Sequence, residues 1–303
     1  MIIKKIFITK ISEQAFKSTN EIVDVVEKCL SFFGYKFNMF SYAYSDKGKR
    51  VDKCYKYSTN KLLKFTSIDI STLFSCSFLF ESDCKKYMFG LEAIIIIEKC
   101  KSSGYVVSIS VLKNNAPLLN DVEHIYDFFS HGTVKFILAD YMRETKSPAL
   151  FIIGVGGDGY SDYEWDIAHS VSRISTGDGL TLPYLFRTSL MDKSYLKDSC
   201  FCDIPKNIFV ERNHYCIFNF ESMLPENFDE YRKNIEWSKI YNTLIMNNVM
   251  IHLRWDPLLL FHSNKGKRRM LPWYLWGNSP DDQTTIVDRI VGSIGWRQAI
   301  WRN

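Results

Sequence analysis

The chain has 303 residues, and none of its apolar runs approaches the ~18 residues that a membrane-crossing helix requires. Even the isoleucine-rich stretch Ala93 to Ile97 is closed on both sides by an acid, Glu92 and Glu98. A secretory leader is not expected: Lys4 and Lys5 imitate its basic start, but Lys10 interrupts the apolar stretch that would have to follow. No C-x-x-C pair, G-x-S-x-G elbow or H-E-x-x-H helix occurs, so thiol-redox, α/β-hydrolase and zincin chemistry lack their signatures. The six histidines are scattered, and neither charge dominates, with 38 Lys+Arg against 34 Asp+Glu. Repeats, low-complexity tracts and long linkers are missing as well. With 46% apolar and 24% charged residues the composition is that of an ordinary globular protein, which excludes disordered, collagen-like and coiled-coil classes. Such a chain is expected to be cytoplasmic, with its eight cysteines reduced.

What is present is unevenly spread. Residues 251–303 hold eight Lys/Arg and four Asp/Glu, so the net charge of +4 falls there, and residues 1–250 balance at 30 of each. Six of the seven tryptophans lie between Trp237 and Trp301. Residues with AT-rich codons (Phe, Tyr, Met, Ile, Asn, Lys) total 121 against 43 for Gly, Ala, Arg and Pro, which points to an AT-rich bacterial gene.

Periodicity organises the first half. Ile2 to Ile8 predicts a strand. Ser18 and Glu21 form a capping box before a stripe of Ile22, Val25, Val26, Cys29, Leu30 and Phe33, with Gly34 placed to end the helix. Tyr35–Tyr44 and Val51–Tyr57 predict strands joined across Ser45–Arg50, where Asp46 and Gly48 suit a turn. Lys61–Ile70, Phe78–Phe80, Leu91–Glu98 and Tyr105–Leu112 add further strands. Asn120 and Glu123 predict a helix start, with Val122, Ile125, Tyr126 and Phe129 as its stripe and Gly132 as its end. Val134–Ala139 and Ala149–Val155 predict strands again. Beyond Gly159 the signals thin to a strand over Phe209–Phe220, a helix from Pro225 to about Met246 and another starting at Ser279. Consecutive strands predict an α+β fold. The sheet is expected to be mixed or mostly antiparallel with flanking helices, in one large unit or two α+β halves, 1–145 and 146–303.

Four clusters could carry chemistry. Gly154, Gly156, Gly157, Asp158 and Gly159 follow an apolar strand in a G-x-G-x-x-G pattern, where backbone amides can approach a pyrophosphate. The plain reading is a turn needing positive φ. Next to it Tyr160, Asp162, Tyr163, Glu164 and Trp165 interleave acids with aromatics, the residue types of a partner-binding hot spot. In the C-terminal region Lys267, Arg268 and Arg269 precede Trp273, a basic-aromatic face suited to an acidic partner or to single-stranded nucleic acid. A sequence pI near 8.5 and the missing RNA-binding signatures disfavour nucleic acid. Last, Cys200, Cys202, His214 and Cys216 pair at spacing two, so neighbouring strands could gather four soft ligands. Structural zinc sites, however, usually leave two to four residues between paired ligands, and buried packing is the ordinary role of free cysteine.

Gly156-Gly157-Asp158-Gly159 resembles the GGDG of NAD kinases and diacylglycerol kinases, whose glycines and Asp border nucleotide phosphates. Tyr160 stands where those families usually place Thr or Ser. In overall character the chain looks like the immunity proteins of bacterial polymorphic-toxin systems: AT-rich, aromatic-rich, mid-sized and motif-poor. That resemblance implies a non-enzymatic protein that blocks a cognate toxin by direct contact. Immunity proteins against nucleases tend to be acidic, so a net charge of +4 argues for a toxin other than a strongly basic nuclease. The expected partner surfaces are Tyr160 to Trp165 and Lys267 to Trp273. No catalytic residue, cofactor or membrane contact is expected.

Overall fold

Alternating β-branched and aromatic residues dominate the chain up to Arg143, and they form strands. The computed structural model describes residues 3–81, 91–100, 103–130, 132–143, 186–193 and 208–222. Ten strands form one sheet: β1 (Ile3–Ile11), β2 (Met39–Asp46), β3 (Lys49–Lys56), β4 (Leu73–Glu81), β5 (Leu91–Lys99), β6 (Tyr105–Leu112), β7 (Val134–Arg143), β8 (Thr188–Asp192), β9 (Phe209–Glu211) and β10 (Tyr215–Asn219). Their order is β3-β2-β4-β5-β6-β1-β7-β8-β10-β9, and every neighbouring pair is antiparallel. Three helices accompany the described strands: α1 (Thr19–Phe32), α2 (Thr59–Thr66) and α3 (Leu118–Asp127). The fold is α+β in kind but strand-rich. β8 and β10 extend the sheet laid down by β1 to β7, so it crosses the expected boundary at residue 145.

Local chemistry accounts for most elements. Ser18 caps α1 by accepting the Glu21 amide at 3.4 Å, while Glu21 reaches back to the Lys17 amide at 2.7 Å. β2 and β3 form a hairpin whose turn residues Lys47 and Gly48 both take positive φ, 50° and 78°, as a two-residue turn of the primed type demands. Three expectations fail. Residues 61–66 are helical in α2: adjacent Leu62 and Leu63 break strand alternation, while Leu62 and Phe65, three apart, turn inward. Phe209–Phe220 is two strands around a turn at Arg212 to His214, where Asn213 and two flanking charged or polar residues suit a bend. Asn120 does not start α3, which begins two residues earlier after Pro117. The Glu221 carboxylate supplies its cap from across the chain, accepting the Leu118 amide at 3.0 and 3.2 Å.

The three helices lie on one face of the sheet. Phe7, Ile11, Ile95, Ile97, Val107, Ile109, Ile137 and Leu190 project into it and pack with Ile22, Val26 and Leu30 of α1, Phe65 of α2, and Val122 and Ile125 of α3. On the opposite face register aligns Cys54, Ser41, Ser77, Ile96, Ser108, Ile8, Leu138, Ser189 and Phe218 in one row, polar toward β3 and apolar toward β10. At the β5–β6 connection, Gly104 (φ 70°) runs so close to β1 that a Cβ there would stand 2.1 Å from the Ile11 carbonyl oxygen.

β1 is buried on both faces, and three of its residues are lysines: Lys4, Lys5 and Lys10. Lys10 lays its stem along the sheet and donates to the Ser103 carbonyl at 2.5 Å. Lys5 is wholly buried; its ammonium donates to Asp121 Oδ2 at 2.6 Å, the Ala116 carbonyl at 2.5 Å and the Asn114 side-chain oxygen, so all three protons are used. Removing one member of such a pair strands the other charge, whereas replacing both with apolar groups is often neutral. Lys5→Met is expected to lower the unfolding free energy by about 3–5 kcal/mol, and adding Asp121→Leu to restore most of it. Urea unfolding of the two variants checks this. A double variant no better than the single one would show that the pair does more than neutralise itself.

Candidate functional site

Most residues singled out in the sequence lie outside the described residues: Gly154 to Gly159, Tyr160 to Trp165, Cys200, Cys202 and Lys267 to Trp273. His214 and Cys216 are described, and they occupy different environments. Cys216 is buried on β10 with its thiol toward the Met191 carbonyl, 3.7 Å away, and burial pushes its pKa up to about 12. His214 is exposed in the turn before that strand, and its carbonyl accepts the Lys193 amide. A thiol so hard to ionise makes a poor metal ligand or nucleophile. The same holds for Cys29, raised by burial to about 12, and for Cys76 and Cys100, both raised by burial. Cys54 on β3 is exposed. Among the described residues no cluster of three or more His, Cys, Asp or Glu could hold a metal, and no helix is long and apolar enough to cross a membrane.

Charged groups concentrate at one end of the central strands. Tyr141 lies beside Lys5 in the register and donates its hydroxyl to Glu221 Oε1, the carboxylate that caps α3. Lys113 and Arg187 both sit over the Tyr141 ring, 4.6 and 5.5 Å from its centroid. Arg187 pairs with Asp140, which accepts its amide at 2.9 Å and its Nε at 3.3 Å, both residues being buried. Burial holds the carboxyls of Asp121 and Asp140 above the usual carboxylate range, opposed by Lys5 and Arg187 respectively. This network joins β1, β7 and α3 to the residue before β8 and the second residue after β10.

Two grooves are formed by the described residues. Near β9 and β10 an open groove of about 560 Å³ is lined by Tyr126, Asp127, Lys193, Glu211, Arg212, Asn213, His214 and Tyr215. Its rims carry the pairs Lys193–Glu211 at 2.7 Å and Arg212–Glu123 at 2.8 Å, and Tyr126 and Tyr215 bring their rings within 4.4 Å. Of this pair Tyr126 is buried and Tyr215 half-buried, and charges of both signs surround them. On the face opposite the three described helices a second groove of about 380 Å³ is floored by Ser41, Ser75 and Ser77 and rimmed by Arg50, Asp52, Cys54 and Glu98. The Ser41 and Ser77 hydroxyls are 2.7 Å apart, and Arg50 grips Asp52 through Nε and Nη2. Small side chains on three adjacent strands create this hollow beside the sheet edge at β3. Sequence reading passed over both surfaces. The signal for the second was the close spacing of lysines from Lys47 to Lys64, hidden by averaging charge over 250 residues.

No protein-family model matches the chain, and no curated protein matches its sequence. Among solved structures, the fold is similar to that of the Pseudomonas aeruginosa T6SS protein PA0821. The TM-score is 0.50 at 10% identity, over 81% of this chain and 75% of that one. At that identity the likeness is one of fold.

Glu98 gives the second groove a measurable property, because burial holds its carboxyl above the usual carboxylate range. The unfolded chain ionises Glu near pH 4, about its ordinary value. Between that pH and the higher folded value the native state keeps a proton the unfolded state has lost, so stability falls as pH rises through the window. Glu98→Gln is therefore expected to raise the melting temperature at pH 7 and to leave it unchanged well below pH 4. An equal gain at both pH values would mean that ionisation is not the cause.

Proposed function

We propose that this chain is a T6SS-associated immunity protein that neutralises a cognate toxin by stoichiometric binding. The observation that carries the proposal is the fold it shares with a T6SS protein over four-fifths of its length. The sequence character points the same way: AT-rich, aromatic-rich and free of catalytic motifs. The described surface adds support, since its grooves are open and floored by tyrosine or serine, and the buried thiols are held protonated. In this reading the protein acts by occupying the toxin rather than by chemistry on it. The complex would bury roughly 800 Å² or more per partner around Tyr, Trp and Arg anchors, and the toxin is not a strongly basic nuclease.

Two readouts test the proposal. Tagged protein recovered from nuclease-treated lysate of the source cells is expected to retain one protein near equimolar amount, encoded beside it. Co-expression is expected to restore growth to cells producing that protein. Recovery of the bait alone, or growth that stays arrested despite complex formation, contradicts the immunity reading.

A further inference from the structure

Among the described residues β3 pairs with β2 alone, and its other edge is open over eight residues. The hairpin turn at Lys47-Gly48 and the bond from the Tyr57 amide to the Asn38 carbonyl set which amides face β2. Antiparallel alternation then turns the backbone groups of Arg50, Asp52, Cys54 and Lys56 outward. Such a row of unpaired donors and acceptors is a template for another strand. Its charge is one-sided. Residues 46–64 hold seven cations (Lys47, Lys49, Arg50, Lys53, Lys56, Lys61, Lys64) against Asp46 and Asp52, a surplus of five in a stretch of nineteen residues. The cations stand on both faces of β3, so a strand laid along it would meet them whichever way its side chains point.

We propose that β3 is the docking edge for an extended, acidic segment of a protein partner, which adds to the sheet as an antiparallel or parallel strand. Main-chain bonds would supply the affinity and the lysines the selection. A second copy of this chain is excluded as occupant by the same charges: β3 carries four cations and one acid, and self-pairing would set like charges opposite one another. At the end of the edge Tyr57 remains 47% exposed, an aromatic anchor for the arriving chain. The proposal deepens the immunity reading and rests on it only for the identity of the partner. It names the chemistry of the toxin segment that is gripped.

The full chain is titrated with a fluorescent peptide of alternating glutamate and valine, with the same peptide N-methylated at every residue, and with a short single-stranded thymidine oligomer. The plain peptide is expected to bind, and N-methylation at every residue, which keeps the charge but removes the main-chain donors of both strand edges, to weaken it about tenfold or more. Lys53→Glu/Lys56→Glu and, separately, Cys54→Pro are expected to cause a comparable loss with the melting temperature unchanged. Proline is tolerated at Cys54 because its amide faces outward on an edge strand, and should it disturb folding the charge reversal still decides the outcome. Equal binding of the methylated peptide, full binding by either folded variant, or binding of the oligomer alone overturns the proposal. If Cys54→Pro loses the peptide yet still neutralises the toxin, β3 is not the toxin's site and the immunity reading stands. If the peptide behaves as expected but the chain neutralises no toxin, the docking edge stands and the immunity reading falls.

Discussion

The arrangement depends on burying β1, the first strand of the chain, between two strands made about a hundred residues later. β1 pairs with β6 on one side and β7 on the other, and helices cover one of its faces. Polar groups on a strand so enclosed are costly unless paired, yet this one brings three buried lysines. The bond from Lys5 to Asp121 answers the largest of those demands by tying β1 to α3 across 116 residues of sequence. Asp121 in turn needs α3 in place, and α3 needs Glu221, which follows β10. A series of polar contacts therefore runs from the first strand to just past the last described one. It makes the sheet a single unit across the midpoint of the sequence. Contacts of such sequence separation also predict slow folding, since loop closure must precede the bonds that reward it.

Interior and edge have been given opposite chemistry. Inside, each ammonium or carboxylate meets a partner at hydrogen-bond distance. At β3 the cations are crowded on an open edge, where they keep the sheet from growing by self-association and leave it able to accept a strand of opposite charge. The serine-floored hollow on the face opposite the described helices adjoins that edge, so an added strand would border a space lined by small side chains. At the far end of the sheet, the groove beside β9 and β10 carries charges of both signs. The two ends of the sheet thus carry different surfaces.

Much of the fold could be read directly where local signals suffice. The Ser18–Glu21 cap, the period of α1, the Asp46–Lys49 turn and the isoleucine-rich β5 all carry their structure in adjacent residues. What could not be read depends on distance. Lys5 and Lys10 look like interruptions of an apolar strand and are instead enclosed by it, because their partners lie about a hundred residues away. Asn120 resembles a helix cap, but the cap comes from Glu221. Leu62 and Phe65 needed the aromatic floor of Phe40, Tyr42 and Phe78 before a helix became favourable there. Strand order was beyond local pattern altogether, since nothing near β1 says that β6 and β7 will flank it. The accessible grooves were missed for the same reason, being assembled from strands far apart in sequence. The basic edge was missed because balanced charge over a long window conceals a local surplus.

Native-state hydrogen exchange on the full chain tests most directly whether an enclosed β1 and an open β3 edge describe the molecule. The account predicts that the amides of Ile6 to Thr9 exchange only through global unfolding. Along β3 it predicts alternation, with Val51, Lys53 and Tyr55 protected and Arg50, Asp52, Cys54 and Lys56 exchanging freely. Uniform protection along β3, or early exchange in β1, would contradict it.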